Sequence, residues 1–254
     1  MYWQEVAGNW FLVPPQPKAI VHFLGGAFVA AAPHVTYRWL LENLYRHDYC
    51  VMATPFINTF DHRAIAQEVH VTFEQGLTYL RNQIGGYLPI YGLGHSMGCK
   101  VHLLMGSLFE IERAGNMLMC FNNYPARKSI PLLEQFIQFA PDFKLEFTPS
   151  PEETLSLIRD RYCVRRNLLI KFRSDTLDQT YPLSDVLYER FPQLTSIEIL
   201  RGSHTTPVAQ DIQWEAGPSF SPLDAVGQLF KQELYRDIGQ LKQVILRWLE
   251  PVPV

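Results

Sequence analysis

The sequence predicts an α/β domain with a mostly parallel central sheet and helices on both faces. Three observations predict it. Short apolar runs alternate with longer segments of helical period, the pattern of strands joined by helical crossovers. A serine flanked by glycines stands where one such run passes into a helix. An acid and a histidine follow two later runs, in that order. The 254 residues suit one domain, read as 1–254, with room for a sizeable core. A hydrophobic share of 47% against 19% charged residues marks a globular chain rather than a disordered one.

The elements follow in order. Ala19 to Leu24 is an apolar run that stops at Gly25-Gly26, a strand and then a loop. Trp39 to Tyr45 reads as a helix, and Tyr49 to Thr54 as a strand stopped by Pro55. Ile65, Val69, Phe73, Leu77, Leu80 and Ile84 recur at steps of three or four, so they share one helix face. Leu88 to Tyr91 is the next strand, Gly98 to Glu110 a helix, and Met117 to Phe121 a buried strand. From about 123 to 166 prolines recur between short amphipathic pieces, which suits a small inserted cap over the sheet edge. Leu132, Phe136 and Phe139 in it either line an apolar pocket or pack the cap down. Strands resume at Leu168 to Phe172 and Ser196 to Leu200, with a helix around Leu183 to Phe191 between them. Residues 213–222 are expected as a loop at a pocket rim. A last helix carries Ile238, Leu241, Val244, Ile245 and Trp248 on one stripe and ends before Pro251.

Composition excludes several classes. A net charge of −3 gives no basic surface for phosphates, so no nucleic-acid partner is expected. Arg159, Arg161, Arg165 and Arg166 are interrupted by Asp160 and read as a solvated helix end. Cys50, Cys99, Cys120 and Cys163 form no close pair, so neither a zinc site nor a redox motif is indicated. No metal and no cofactor are expected. The N-terminus lacks the basic start and apolar run of a signal peptide, and no stretch approaches the ~20 apolar residues of a membrane span. A soluble protein of a reducing cytoplasm is therefore expected.

The chemistry centres on Gly94-His95-Ser96-Met97-Gly98, a G-x-S-x-G pattern between a strand and a helix. Small residues two before and two after the serine let the backbone turn sharply and project the hydroxyl. The helix that follows offers free N–H groups to developing negative charge. A serine needs a general base oriented by a third group. Asp175 lies just past the strand ending at Phe172, with Asp178 as the alternative acid. His204 follows the Gly202 turn after the last strand and is the expected base. Of the seven other histidines, only His34 and His62 fall in loops able to face the site. Oxyanion donors are expected from the Met97 N–H and from Gly26 or Ala27 in Leu24-Gly25-Gly26-Ala27-Phe28.

Taken together these residues resemble the α/β-hydrolase superfamily over nearly the whole chain. The loop resembles the HGGG type of esterases, but has Leu24 for His and Ala27 for the third glycine. His22 to Phe28, Ala53 to Phe56 with Phe60-Asp61-His62, and Phe172 to Asp178 are similar to DUF1350, an uncharacterised hydrolase-like family of cyanobacteria and plastids. The resemblance implies the fold and a triad without a substrate. It favours a cyanobacterial cytoplasm or a plastid stroma. The reaction expected is hydrolysis of an ester or thioester of a small acyl substrate. A non-enzymatic binding or scaffold protein on the same fold, and an acyltransferase using the same residues, are the alternatives. Oligomeric state has no signature in the sequence.

Overall fold

The computed structural model describes residues 1–27, 29–84, 86–126, 146–209 and 222–250, with side chains of the last helix from 235 onward. An eight-stranded sheet forms the centre. Its strands are β1 (Gln4–Val6), β2 (Asn9–Leu12), β3 (Ala19–Leu24), β4 (Tyr49–Ala53), β5 (Ile90–His95), β6 (Gly115–Met119), β7 (Asn167–Phe172) and β8 (Thr195–Leu200). Their order across the sheet is β1-β2-β4-β3-β5-β6-β7-β8. From β4 to β8 all neighbours are parallel. Only β1–β2 and β2–β4 are antiparallel. That N-terminal hairpin was not expected. Its turn, Ala7-Gly8, has positive φ at both residues but carries no Asn-Gly signature.

Helices cover both faces. They are α1 (Pro33–Thr36), α2 (Arg38–Arg46), α3 (His62–Ile84), α4 (Met97–Leu108), α5 (Pro151–Arg161), α6 (Thr180–Arg190) and α7 (Pro222–Leu249). The strands sort their side chains by the period of two that a sheet imposes. In β4, Tyr49, Val51 and Ala53 face α2 and α7, while Cys50 and Met52 face α3 and α4. The stripe read along α3 is buried at Ile65, Val69, Phe73, Leu77 and Leu80. In α7, Ile238, Leu241 and Ile245 are buried as expected.

Two boundaries moved for local reasons. β5 runs on to His95 through glycines read as a loop, because Gly92 and Gly94 are laddered to β3 on one side and β6 on the other. β6 ends two residues early because Cys120 takes φ 55°. Residues 127–145 of the expected cap, with Leu132, Phe136 and Phe139, lie outside the described residues, as does most of 213–222. The later part, α5, is a layer helix: Ile158, Tyr162 and Val164 pack with Cys99 and Leu103 of α4 and with Leu183 and Leu187 of α6. Ser150 and Glu153 form a capping box, with Pro151 at the first turn. Among the described residues no helix is long and apolar enough to cross a membrane.

Candidate active site

The turn between β5 and α4 is the structural root of the site. Ser96 adopts φ 53°, ψ −115°, a conformation that non-glycine residues avoid. Its N–H is held by Met119 O at 2.8 Å, so β6 stabilises the strained residue. The flanking glycines are steric necessities. A Cβ at Gly98 would stand 2.1 Å from Leu24 O, and one at Gly94 would stand 2.8 Å from Cys99 N. The turn therefore presses α4 directly against the end of β3, and the serine hydroxyl opens into a cavity.

The expected base and acid both come to that hydroxyl. His204 Nε2 lies 3.0 Å from Ser96 Oγ, and His204 Nδ1 lies 2.8 Å from Asp175 Oδ2. The carboxylate can only accept here, so Nδ1 carries the proton and Nε2 offers its lone pair to the Ser96 O–H. Burial opposes the charge on Asp175. Hydrogen bonds from His204 and from the Leu177 N–H outweigh that and hold its carboxyl below the ordinary value. Asp178 is turned elsewhere. It receives Lys171 Nζ at 2.8 Å and the N–H and hydroxyl of Thr180 at 3.0 and 2.8 Å, which makes it an anchor for α6.

His95 and Tyr37 form a second chain of hydrogen bonds behind the first. His95 Nε2 donates to His204 O at 2.9 Å. Its Nδ1 must then accept, and the Tyr37 hydroxyl donates to it at 2.7 Å. The Tyr37 oxygen in turn accepts the Gly26 N–H at 2.7 Å. Burial drives the His95 pKa down to about 3 and the Tyr37 pKa well up, so both stay neutral. This corrects one expectation: the Gly26 N–H is already used. Ala27 and Met97 line the cavity, and no hydrogen bond engages either N–H among the described residues. Tyr37 had no sequence signal, since its partners lie 11 and 58 residues away.

The cavity measures about 320 Å³. Val29, Met97, Phe147, Leu177 and Val208 give it apolar walls, and Asn58, His62, Lys100 and Asn123 give it a polar end. His62 does reach the site, whereas His34 stacks on Trp10 at 3.6 Å. Lys100 was passed over, although it is the one lysine in an otherwise uncharged α4. His95, Cys120 and His204 bring potential metal-ligand atoms within 4.8 Å of one another. The set suits a metal poorly. His95 Nε2 and His204 Nδ1 are committed to other partners, and burial pushes the Cys120 thiol up.

The family described as "Protein of unknown function (DUF1350)" matches residues 2–251. The chain belongs to the DUF1350 family. No curated protein matches this DUF1350 member in sequence. Its backbone is similar to solved structures of α/β-hydrolase type. Esterase B from Lactobacillus rhamnosis superposes with a TM-score of 0.60 at 13% identity, over 94% of this chain and 84% of that one. A carboxyl esterase from the fungus Tuber melanosporum gives 0.54 at 17%, over 89% and 82%. A metagenome-derived lipolytic enzyme gives 0.52 at 16%, over 80% and 91%. At such identities the likeness establishes the fold: this DUF1350 chain has the α/β-hydrolase fold.

Proposed function

We propose that this protein is a serine hydrolase that cleaves a carboxylic ester or thioester of a small acyl substrate. The observation that carries the reading is the continuous hydrogen-bonded line Ser96–His204–Asp175, at 3.0 and 2.8 Å, opening on a cavity. Ser96 Oγ attacks the acyl carbon as His204 Nε2 takes its proton. Asp175 keeps the imidazole in the tautomer that can do so and stabilises the imidazolium. The oxyanion accepts from the N–H groups of Met97 and Ala27, each worth about 10²-fold or more in rate. His204 returns the proton to the leaving oxygen or sulfur. Water, deprotonated by His204, then releases the acid. The similarity to esterases and lipolytic enzymes supports the class of reaction.

A fluorescent alkyl phosphonate tests this directly. The wild type is expected to label, and Ser96→Ala and His204→Ala to fail. Absence of labelling in folded wild type, with the probe varied in size, would favour a binding protein on a hydrolase fold. Trapping the acyl-enzyme with alcohols and amines separates hydrolysis from acyl transfer.

A further inference from the structure

α4 begins at the nucleophile, so its fourth residue lies one turn on and on the same face. That residue is Lys100, and it is only 2% exposed. Burying an ammonium is costly unless it is paired. Among the described residues no carboxylate forms an ion pair with Lys100, though Glu152 favours its charge from farther off. Its Nζ meets Pro149 O at 3.4 Å, a weak contact, and stands 5.7 Å from the Phe147 ring. The groups around it are also incomplete. Among the described residues both ring nitrogens of His62, which is 2% exposed, lack a hydrogen-bond partner, and so do Asn123 Oδ1 and Asn58 Oδ1. All four residues line the cavity that holds Ser96.

This polar end is built by the fold. Asp61 bridges Thr148 as in a parallel ladder, and the Arg63 N–H reaches Thr148 O at 3.0 Å. Those contacts bind the start of α3 to the segment that carries Phe147 and Pro149. The Asn123 amide donates to Pro151 O at 2.9 Å, while its oxygen is buried without a partner among the described residues. Sheet order then sets the polarity of the site. His204 arrives from the β8 side of β5, whereas His62 arrives from the β4 side. A leaving group must face His204 to receive its proton. A leaving group that faces His204 puts the acyl part on the other side of Ser96, the side from which His62 arrives.

We propose that Lys100, with His62 and Asn123, forms an anion subsite, and that the substrate is an ester or thioester whose acyl part ends in a carboxylate or similarly charged group. The inference rests on the hydrolase reading for what is cleaved, but not for what is bound. Desolvation lowers the Lys100 pKa to about 7 against a smaller opposing pull from Glu152, so an arriving anion restores the charge that burial disfavours. The unpartnered Asn123 oxygen and one His62 nitrogen complete the shell of the ammonium, while the other His62 nitrogen donates to the ligand.

Binding to Ser96→Ala protein, which cannot turn over, tests the subsite apart from catalysis. Calorimetric titration compares monomethyl succinate and monomethyl glutarate with methyl butanoate and methyl pentanoate. The charged esters are expected to bind at least ten-fold more tightly, and the preference is expected to vanish in Ser96→Ala/Lys100→Met. Ser96→Ala/Lys100→Gln is the second variant, and Lys100→Arg is expected to retain part of the preference. Equal affinity for charged and uncharged esters would overturn the proposal, as would a preference that survives loss of the lysine. A preference confined to an acetate ester with its carboxylate on the alcohol part would overturn the acyl-side assignment. Phosphonate labelling of Ser96 is read separately, so a failed nucleophile and a failed anion subsite give different results.

Discussion

Single side chains divide here by what they touch. Asp175 and Asp178 are three positions apart in one loop, yet only Asp175 meets an imidazole. Asp175→Asn is therefore expected to lower kcat by ~10²–10⁴ with little loss of stability, because the amide favours the wrong tautomer of His204. Asp178→Asn is expected to do the reverse. It leaves turnover nearly intact and costs about 2 kcal/mol, since Lys171 and the start of α6 lose a carboxylate sealed from solvent. Parallel ester kinetics and urea titrations on the two variants check both. Lys100 adds a second residue-level test. Its folded pKa of about 7 lies below the ordinary lysine value, so the unfolded chain binds the extra proton between pH 7 and about 10. Stability is lost as pH falls through that window. Lys100→Met is accordingly expected to raise the unfolding free energy read from urea titrations most near pH 7 and least near pH 10, by roughly 1–3 kcal/mol at neutral pH.

At the scale of elements, the β5–α4 turn and the Tyr37–His95 chain hold loops that are distant in sequence. Gly98→Ala drives a methyl into Leu24 O and is expected to abolish soluble folded protein or to shift α4 enough to end labelling of Ser96. Tyr37 tethers the Gly26 loop, and His95 tethers the His204 loop. Tyr37→Phe removes a hydroxyl from between two buried groups. It is expected to cost about 1–3 kcal/mol and to lower kcat about ten-fold, with KM little changed, because it loosens the loop that carries Ala27. Steady-state kinetics beside a thermal melt separate the two effects. The helix α5 makes a different point at this scale. Its packing partners on α4 and α6 lie far from it in sequence. A stretch rich in proline thus read as cap when its second half covers the sheet.

Across the whole molecule, burial of neutral histidines governs the response to acid. His22, His62, His95 and His102 are all buried, and desolvation pulls each pKa down, to about 3 for His62 and His95. The unfolded chain protonates near pH 6.5, while the folded protein stays neutral. Stability present above pH 6.5 is therefore lost as pH falls below it, by about 1 kcal/mol per pH unit for each histidine. Urea midpoints measured from pH 7 to pH 5 are expected to fall steeply, and His102→Leu is expected to flatten the slope.

The sequence by itself determined the period of the strands from β3 onward and of the helices α2, α3, α4, α6 and α7, and with it a parallel sheet covered on both sides. It also placed Ser96 at a glycine-flanked turn and put an acid and a histidine at the ends of later strands. These are local properties, set by spacing and by which residues tolerate a sharp turn. Tertiary structure alone decided which acid lies against His204, that Gly26 spends its N–H on Tyr37, and that Lys100 is buried with no ion pair among the described residues. These contacts join groups 11 to 49 residues apart. Hydrogen-bond partners and desolvation depend on distance in space, and no spacing along the chain encodes it.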